Sequence, residues 1–204
     1  MKFFKWKIYI ITTLVCLSPV LFGLALWDKL PQQMAIHFDF QGNPDNFASR
    51  GFTIFGLPLL MVLTHTICCF ASDFDLYKRG TNTKLETVVK WIIPCLTIAF
   101  QVITLGIGLG WNIDVRKSAC FLVGIMFIVL GNYVPKFDRL NGIKMEPEKA
   151  KKVNRFMGYG IVVLGILLII SIFLPPVYST VCLFLIFPYT IISLIYAMVI
   201  KKRP

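Results

Sequence analysis

The chain has 204 residues, 57% of them apolar and only 15% charged, with a formal net charge of +11. Soluble globular domains divide almost evenly between apolar and polar residues, so this composition excludes a water-soluble enzyme. The positive charge does not by itself indicate nucleic acid, because basic residues beside membrane spans set topology and attract anionic lipid.

Six apolar stretches of about 20 residues are each long enough to cross a hydrocarbon core of about 30 Å. They run approximately Trp6 to Trp27, Phe52 to Phe70, Val89 to Trp111, Ala119 to Tyr133, Phe156 to Leu174 and Val177 to Ile200. The first has the basic start of a signal peptide (Lys2, Lys5, Lys7), but its apolar run is too long and no small-residue cleavage site precedes Asp28, so it is expected to be retained. In this span Thr12, Cys16, Pro19 and Gly23 recur at helical spacing, the small and polar stripe that lets helices approach in lipid.

The segment after it, 28–51, has the chemistry of an ordered loop. Ile36, Phe38 and Phe40 alternate with His37 and Asp39, the period of a short strand or extended amphipathic segment. Gly42 can adopt a positive φ, Pro44 disfavours helix at Asn43, and Asp45 can close a turn through its carboxylate. His37, Asp39 and Asp45 are scattered ligands without a second histidine, so no metal site is expected.

In the second span His65 is the one deeply placed ionisable side chain, and a buried imidazole needs hydrogen-bond partners. Gln101, in the third span, is its expected polar partner, on a stripe with Pro94, Thr97, Thr104 and Gly108. With no Asp, Glu, Lys or Arg expected inside any span, a proton-coupled relay is disfavoured. Pro175 and Pro176 separate the last two spans and mark a tight re-entry turn.

Of the 21 Lys and Arg residues, 17 fall at the amino terminus, in 71–90, in 135–155 and in the carboxyl tail; Lys29, Arg50, Arg116 and Lys117 fall on the opposite side. Both termini are therefore expected to be cytoplasmic. All six cysteines lie in spans, which argues for packing rather than disulfides or zinc. No catalytic signature or cofactor motif is present, so the expectation is no enzyme and no cofactor. The expected fold is an all-α integral membrane protein of six transmembrane helices with an ordered first extracellular loop. It forms one membrane domain: a two-helix amino-terminal module (1–70) with the outer loop, and a four-helix part (71–204).

Leu30, Pro31, His37, Phe38, Gly42, Pro44, Asp45, Ser49 and Arg50 form a run that resembles the amino-terminal module of the bacterial Sdp immunity protein (SdpI) family. Gly131-Asn132-Tyr133-Val134-Pro135-Lys136 is similar to that family's GNxxPK element, followed by Asn141-Gly142-Ile143-Lys144 and Asn154-Arg155-Phe156-Met157-Gly158. The resemblance implies a multi-pass protein of a Gram-positive cell membrane that protects against a secreted peptide toxin. It further implies a receptor that, once occupied, holds a transcriptional repressor at the membrane through the 135–155 loop, with no direct contact to nucleic acid. After Gly142-Ile143 the family commonly continues Arg-Thr-Pro-Trp-Thr-Leu, whereas this chain has Lys144-Met145-Glu146-Pro147-Glu148. The residues expected to bind the ligand are His37, Phe38, Asp39, Phe40, Gly42, Pro44 and Asp45 of the outer loop, beside an intramembrane polar pair, His65 and Gln101, and a cytoplasmic-end motif, Asn132, Tyr133, Pro135 and Lys136. The competing reading is a small transporter or exporter of a peptide or lipid-like substrate.

Overall fold

The computed structural model describes residues 4–79, 83–136 and 145–202. Six helices are long and apolar enough to cross a membrane: Trp6–Ala25, Phe52–Phe74, Thr87–Gly108, Val115–Lys136, Pro147–Ser171 and Pro176–Lys202. The fold is thus the expected all-α membrane architecture, with one β-hairpin added between the first two spans. The chain divides into two compact units, Met1–Val115 and Arg116–Pro204. The third helix packs against the first two, because its polar stripe meets residues of both.

In the first unit, α1 (Trp6–Ala25) buries Thr12, Cys16, Pro19 and Gly23, the stripe expected from spacing. Gly23 is needed for a close approach: a Cβ there would come within 2.7 Å of Ile54. Pro19 has no N–H for the Val15 carbonyl, and the Ser18 hydroxyl donates to that oxygen instead at 2.8 Å. In lipid, where water cannot satisfy the freed carbonyl, this substitution is what makes an interior proline tolerable.

Two antiparallel strands follow, β1 (Gln33–Phe38) and β2 (Pro44–Ser49), pairing Gln33 with Ser49 and Ala35 with Phe47. The register shifts on both sides of His37, so the simple alternation expected across 36–40 is broken. Met34 and Ala35 are both buried, and Met34 joins Leu30, Ile54 and Leu105 in an apolar cluster.

The next helix opens with a π-helical turn, Phe52–Gly56, and continues as α2 (Leu57–Arg79). The Leu57 N–H reaches back to the Phe52 carbonyl, and the next π-type donor, residue 58, is a proline. The Thr53 carbonyl therefore loses its partner within the helix. α3 (Thr83–Gly108) supplies one: Gln101 Nε2 donates to Thr53 O at 3.0 Å. α3 ends in a Schellman turn, with Gly110 at φ +81°, its N–H on Ile107 O and the Trp111 N–H on Gly106 O.

The second unit contains α4 (Val115–Tyr133), α5 (Pro147–Ser171), α6 (Pro176–Phe184) and α7 (Ile186–Lys202). Gly124 and Gly131 of α4 face Gly165 and Gly158 of α5 reciprocally. A Cβ at Gly131 would stand 2.7 Å from the Gly158 carbonyl oxygen, and one at Gly165 would stand 2.6 Å from that of Gly124. Backbone-to-backbone contact of this kind is how helices associate without a hydrophobic drive. As expected from the diproline, Pro175 caps α6 and Pro176 takes its first turn, where a missing N–H costs nothing. The sixth span is interrupted at Leu185, since Pro188 cannot donate to Phe184.

Candidate functional site

The loop residues singled out from sequence converge on the hairpin, but most of their polar groups serve the hairpin itself. Asp39 follows β1 and closes the turn. Its Oδ1 accepts the N–H groups of Gln41 at 2.9 Å and Asn43 at 2.8 Å, and its Oδ2 accepts Asn43 Nδ2 at 3.1 Å. The bond from the Asn43 backbone N–H is the main cause holding the Asp39 carboxyl below its ordinary pKa. Gly42 takes φ +94° in this turn, as its position implied.

Asp45 was expected to close the turn, a task that falls to Asp39. Asp45 instead meets His37 across the strands, with Nδ1 and Oδ1 2.5 Å apart and both side chains exposed. Pro44 begins β2, where its missing N–H faces no ladder partner in need. Arg50 staples the base of the hairpin to the short turn that follows α1, Trp27–Lys29. Its Nη1 donates to Trp27 O at 2.6 Å and Leu30 O at 3.0 Å, and its guanidinium lies 4.3 Å from the centre of the Trp27 ring. Ser49 Oγ accepts the Phe52 N–H at 3.2 Å at the start of the next helix. The aromatics divide: Phe38 is half-buried, whereas Phe40 and Phe47 are 60% and 54% exposed.

His65 and Gln101 do not meet. Gln101 is held by Thr53, twelve residues before His65 on the same helix, while His65 Nε2 lies 2.8 Å from Thr12 Oγ1 of α1. The Thr12 hydroxyl also reaches Ile8 O at 2.7 Å, an acceptor for its one hydrogen when the imidazole donates from Nε2. The Tyr9 ring stacks on His65 with centroids 6.0 Å apart, and Cys69 Sγ lies 3.5 Å from Nε2. The expected partnership failed because both residues were placed by depth alone, with no account of the carbonyl that Pro58 leaves unpaired.

A second correction concerns charge inside the spans. Asp73 on α2 and Lys90 on α3 form an ion pair of 2.6 Å, with the two residues 2% and 1% exposed. The second Asp73 oxygen accepts the Lys5 backbone N–H at 3.0 Å, so a side chain of α2 caps the start of α1, whose own cap residue offers none. An anion there also faces the positive end of the helix dipole. Sequence reasoning left Asp73 in the connecting loop and counted Lys90, at the very edge of the third span, with that loop. Their positions did carry a signal: they are opposite charges near the facing ends of two consecutive apolar spans.

Together these contacts form a polar column within the first unit. It passes from Gln101 and Thr53 beside the hairpin, through Thr97 and Cys16 (3.8 Å), to Thr12 and His65, and ends at Asp73 and Lys90.

In the second unit the GNxxPK element is a packing corner. Gly131 abuts α5, Pro135 sits against Gly158, and the Lys136 Nζ lies 4.0 Å over the Tyr133 ring. Asn132 is exposed. The run Asn141 to Lys144 lies outside the described residues, while Lys151, Lys152 and Arg155 are exposed on the first turns of α5.

Residues 14–62 match a family model described as a domain of unknown function (DUF1648). The matched segment runs from α1 through the whole hairpin and into α2. No curated protein and no solved structure matches the chain.

Proposed function

We propose that this chain is a membrane immunity protein that protects the cell carrying it from a secreted antimicrobial peptide, with the hairpin as its recognition surface and both termini cytoplasmic. The observation that carries the reading is the exposure of Phe40 and Phe47 on a hairpin whose polar groups are otherwise committed to holding it rigid. Rigid aromatic anchors bind at low entropic cost. A membrane-active peptide reaches the headgroup region before it perforates the bilayer, and aromatic side chains are at home at that depth. The protein binds rather than catalyses. In a signalling extension of this reading, the exposed cations Lys151, Lys152 and Arg155 of α5 receive a cytoplasmic repressor. A second reading, a small transporter of a peptide or lipid-like substrate, draws on the Asp73–Lys90 pair, since intramembrane charges commonly line substrate and proton routes.

The test is survival under secreted peptides of the native strain after gene deletion and re-expression. Re-expression of the unaltered chain should restore survival, and Phe40→Ser with Phe47→Ser should remove protection at unchanged membrane abundance. An Asn43→Cys label should react from outside intact cells and Glu148→Cys only after permeabilisation. Unchanged survival on deletion overturns immunity. Full protection by the double variant overturns the hairpin as its surface, and survival that tracks Asp73→Asn but not the aromatics favours transport.

A further inference from the structure

The hairpin, residues 33–49, holds two carboxylates, Asp39 and Asp45, and no Lys or Arg, in a chain whose formal net charge is +11. Among the described residues neither carboxylate meets a lysine or arginine. Asp39 is filled by donors of its own turn, and Asp45 meets His37. The strands leave their ladder at one place to make that second contact. Ala35 pairs with Phe47, His37 with Asn46 and Phe38 with Pro44, so Ile36 of β1 and Asp45 of β2 each stand opposite no residue. Bulges of this kind interrupt the ladder and re-aim side chains. Stability does not repay them, because a pair as exposed as His37 and Asp45 contributes little.

A carboxylate can only accept, so the imidazole donates from Nδ1 and the neutral ring keeps a lone pair on Nε2. The His37 side chain is 68% exposed and that of Asp45 46%. The dyad therefore turns acceptors alone to the outside. A phosphate or carboxylate finds no donor in it, whereas an ammonium or guanidinium finds two acceptors and the negative charge of both aspartates. The exposed rings stand beside these groups in the chain, Phe40 next to Asp39 and Phe47 two residues after Asp45, and supply apolar area with cation-attracting faces. The Phe47 N–H is taken by Asn46 Oδ1 at 2.8 Å, which removes a donor that an added strand would use and leaves recognition to side chains.

We propose that the hairpin's ligand is a cationic amphipathic peptide, one of whose ammonium or guanidinium groups is received by His37 and Asp45 while its apolar side chains lie on Phe40 and Phe47. This rests on the reading of the hairpin as a recognition surface and adds the class of peptide it selects. A neutral or acidic hydrophobic peptide would cover Asp45 without bringing a counter-charge, and an uncompensated charge is costly to bury.

Peptides secreted by the native strain are divided at neutral pH into a fraction retained by a cation exchanger and a fraction that passes through. Each is titrated against the deletion strain and against the same strain re-expressing the unaltered chain, Asp45→Asn or Asp45→Glu. Asp45→Asn keeps an oxygen for the imidazole N–H and removes the charge, whereas Asp45→Glu keeps the charge. The retained fraction should kill the deletion strain and spare the strain carrying the unaltered chain. Asp45→Asn should lower the tolerated concentration of that fraction roughly tenfold, the loss of one hydrogen bond to a charged group, at unchanged membrane abundance. Asp45→Glu should protect nearly as well as the parent. Protection by the unaltered chain confined to the unretained fraction overturns the cationic ligand with no variant involved and leaves immunity standing. So does full protection by Asp45→Asn, or a loss in Asp45→Glu equal to that in Asp45→Asn. Survival of the deletion strain in both fractions removes immunity itself, and this inference with it.

Discussion

The two units solve the same problem by different means. The first is joined by side-chain hydrogen bonds and an ion pair: Gln101 to Thr53, His65 to Thr12, Asp73 to Lys90 and to the Lys5 N–H. In the second, α4 and α5 are joined by the absence of side chains, with Gly124 and Gly131 set against Gly165 and Gly158 so that backbones touch, while Arg116 and Ser171 on Ser179 and Tyr189 on Phe156 O tie in the other two helices. Lipid offers no hydrophobic force to press helices together, so association rests on polar pairing or on close packing. Polar pairing is directional and fixes register at single points. Glycine contact is distributed and fails when bulk is added. The hairpin grows from the polar unit, where Arg50 and Ser49 extend the same bonding to its base.

The sharpest way to break the polar unit is to leave Lys90 without its carboxylate. Asp73→Leu should cost about 3–5 kcal/mol, because the buried ammonium then has no counter-charge. Adding Lys90→Met should recover most of that loss, since replacing both partners by apolar groups of similar volume is often neutral. All four tryptophans lie in the first unit, so the unfolding transition in mixed micelles followed by their emission reports it directly. A single variant as stable as the parent would remove the ion pair from the account.

The α4–α5 contact should respond to added bulk. Gly131→Leu places side-chain atoms where the Gly158 carbonyl already stands and should cost about 1–3 kcal/mol or more. Its effect should appear in the helical melt by circular dichroism and leave the tryptophan transition unmoved. Coincident shifts in both signals would mean that the two units do not unfold separately.

These two devices differed in how legible they were. The α1 stripe of Thr12, Cys16, Pro19 and Gly23 could be read from spacing, because one helix face buries one stripe whatever its neighbours are. Gly42 could be read because few other residues take a positive φ. Partnerships between helices could not. Gln101 looks like a partner for His65 until the π-turn and Pro58 expose the Thr53 carbonyl, and a missing backbone bond leaves no mark in hydropathy. Asp73 and Lys90 escaped for the opposite reason: their charge placed them in a loop by rule, whereas pairing allowed burial. In the second unit, glycines seven residues apart in consecutive spans were visible, but their reciprocity needs the antiparallel register.

The histidine sharpens the polar side of the comparison at smaller cost. His65→Leu and Thr12→Val should each lose about 0.6–1.7 kcal/mol, the range found for hydrogen bonds between membrane helices. Because the two residues share one bond, the double variant should lose little more than either alone. Additive losses would show that they act through different partners. His65→Gln, which can still donate to Thr12, should recover part of the loss.

The smallest effect is expected where the polar network leaves the membrane, at the hairpin tip. Hydrogen bonding from Asn43, first through its backbone N–H, lowers the Asp39 carboxyl below its ordinary range. A group with a lowered folded pKa contributes stability that is present above its unfolded value and lost as the pH falls through the folded one. The turn should therefore hold unchanged at neutral pH and loosen only once acid passes below the ordinary carboxylate range. Amide exchange at Asn43, corrected for its intrinsic rate, measures this directly: protection should fall in that acid window while amides beside His65 keep theirs. The His37–Asp45 pair is a separate contribution at the same hairpin, but both its side chains are exposed, and surface pairs are typically worth less than about 1 kcal/mol. Asp39→Asn sharpens the assignment, because an amide oxygen can still accept the Asn43 N–H but does not titrate. Its protection should be lower than the parent's at neutral pH and flat into acid. An acid-dependent loss that survives Asp39→Asn would show that Asp39 is not its origin.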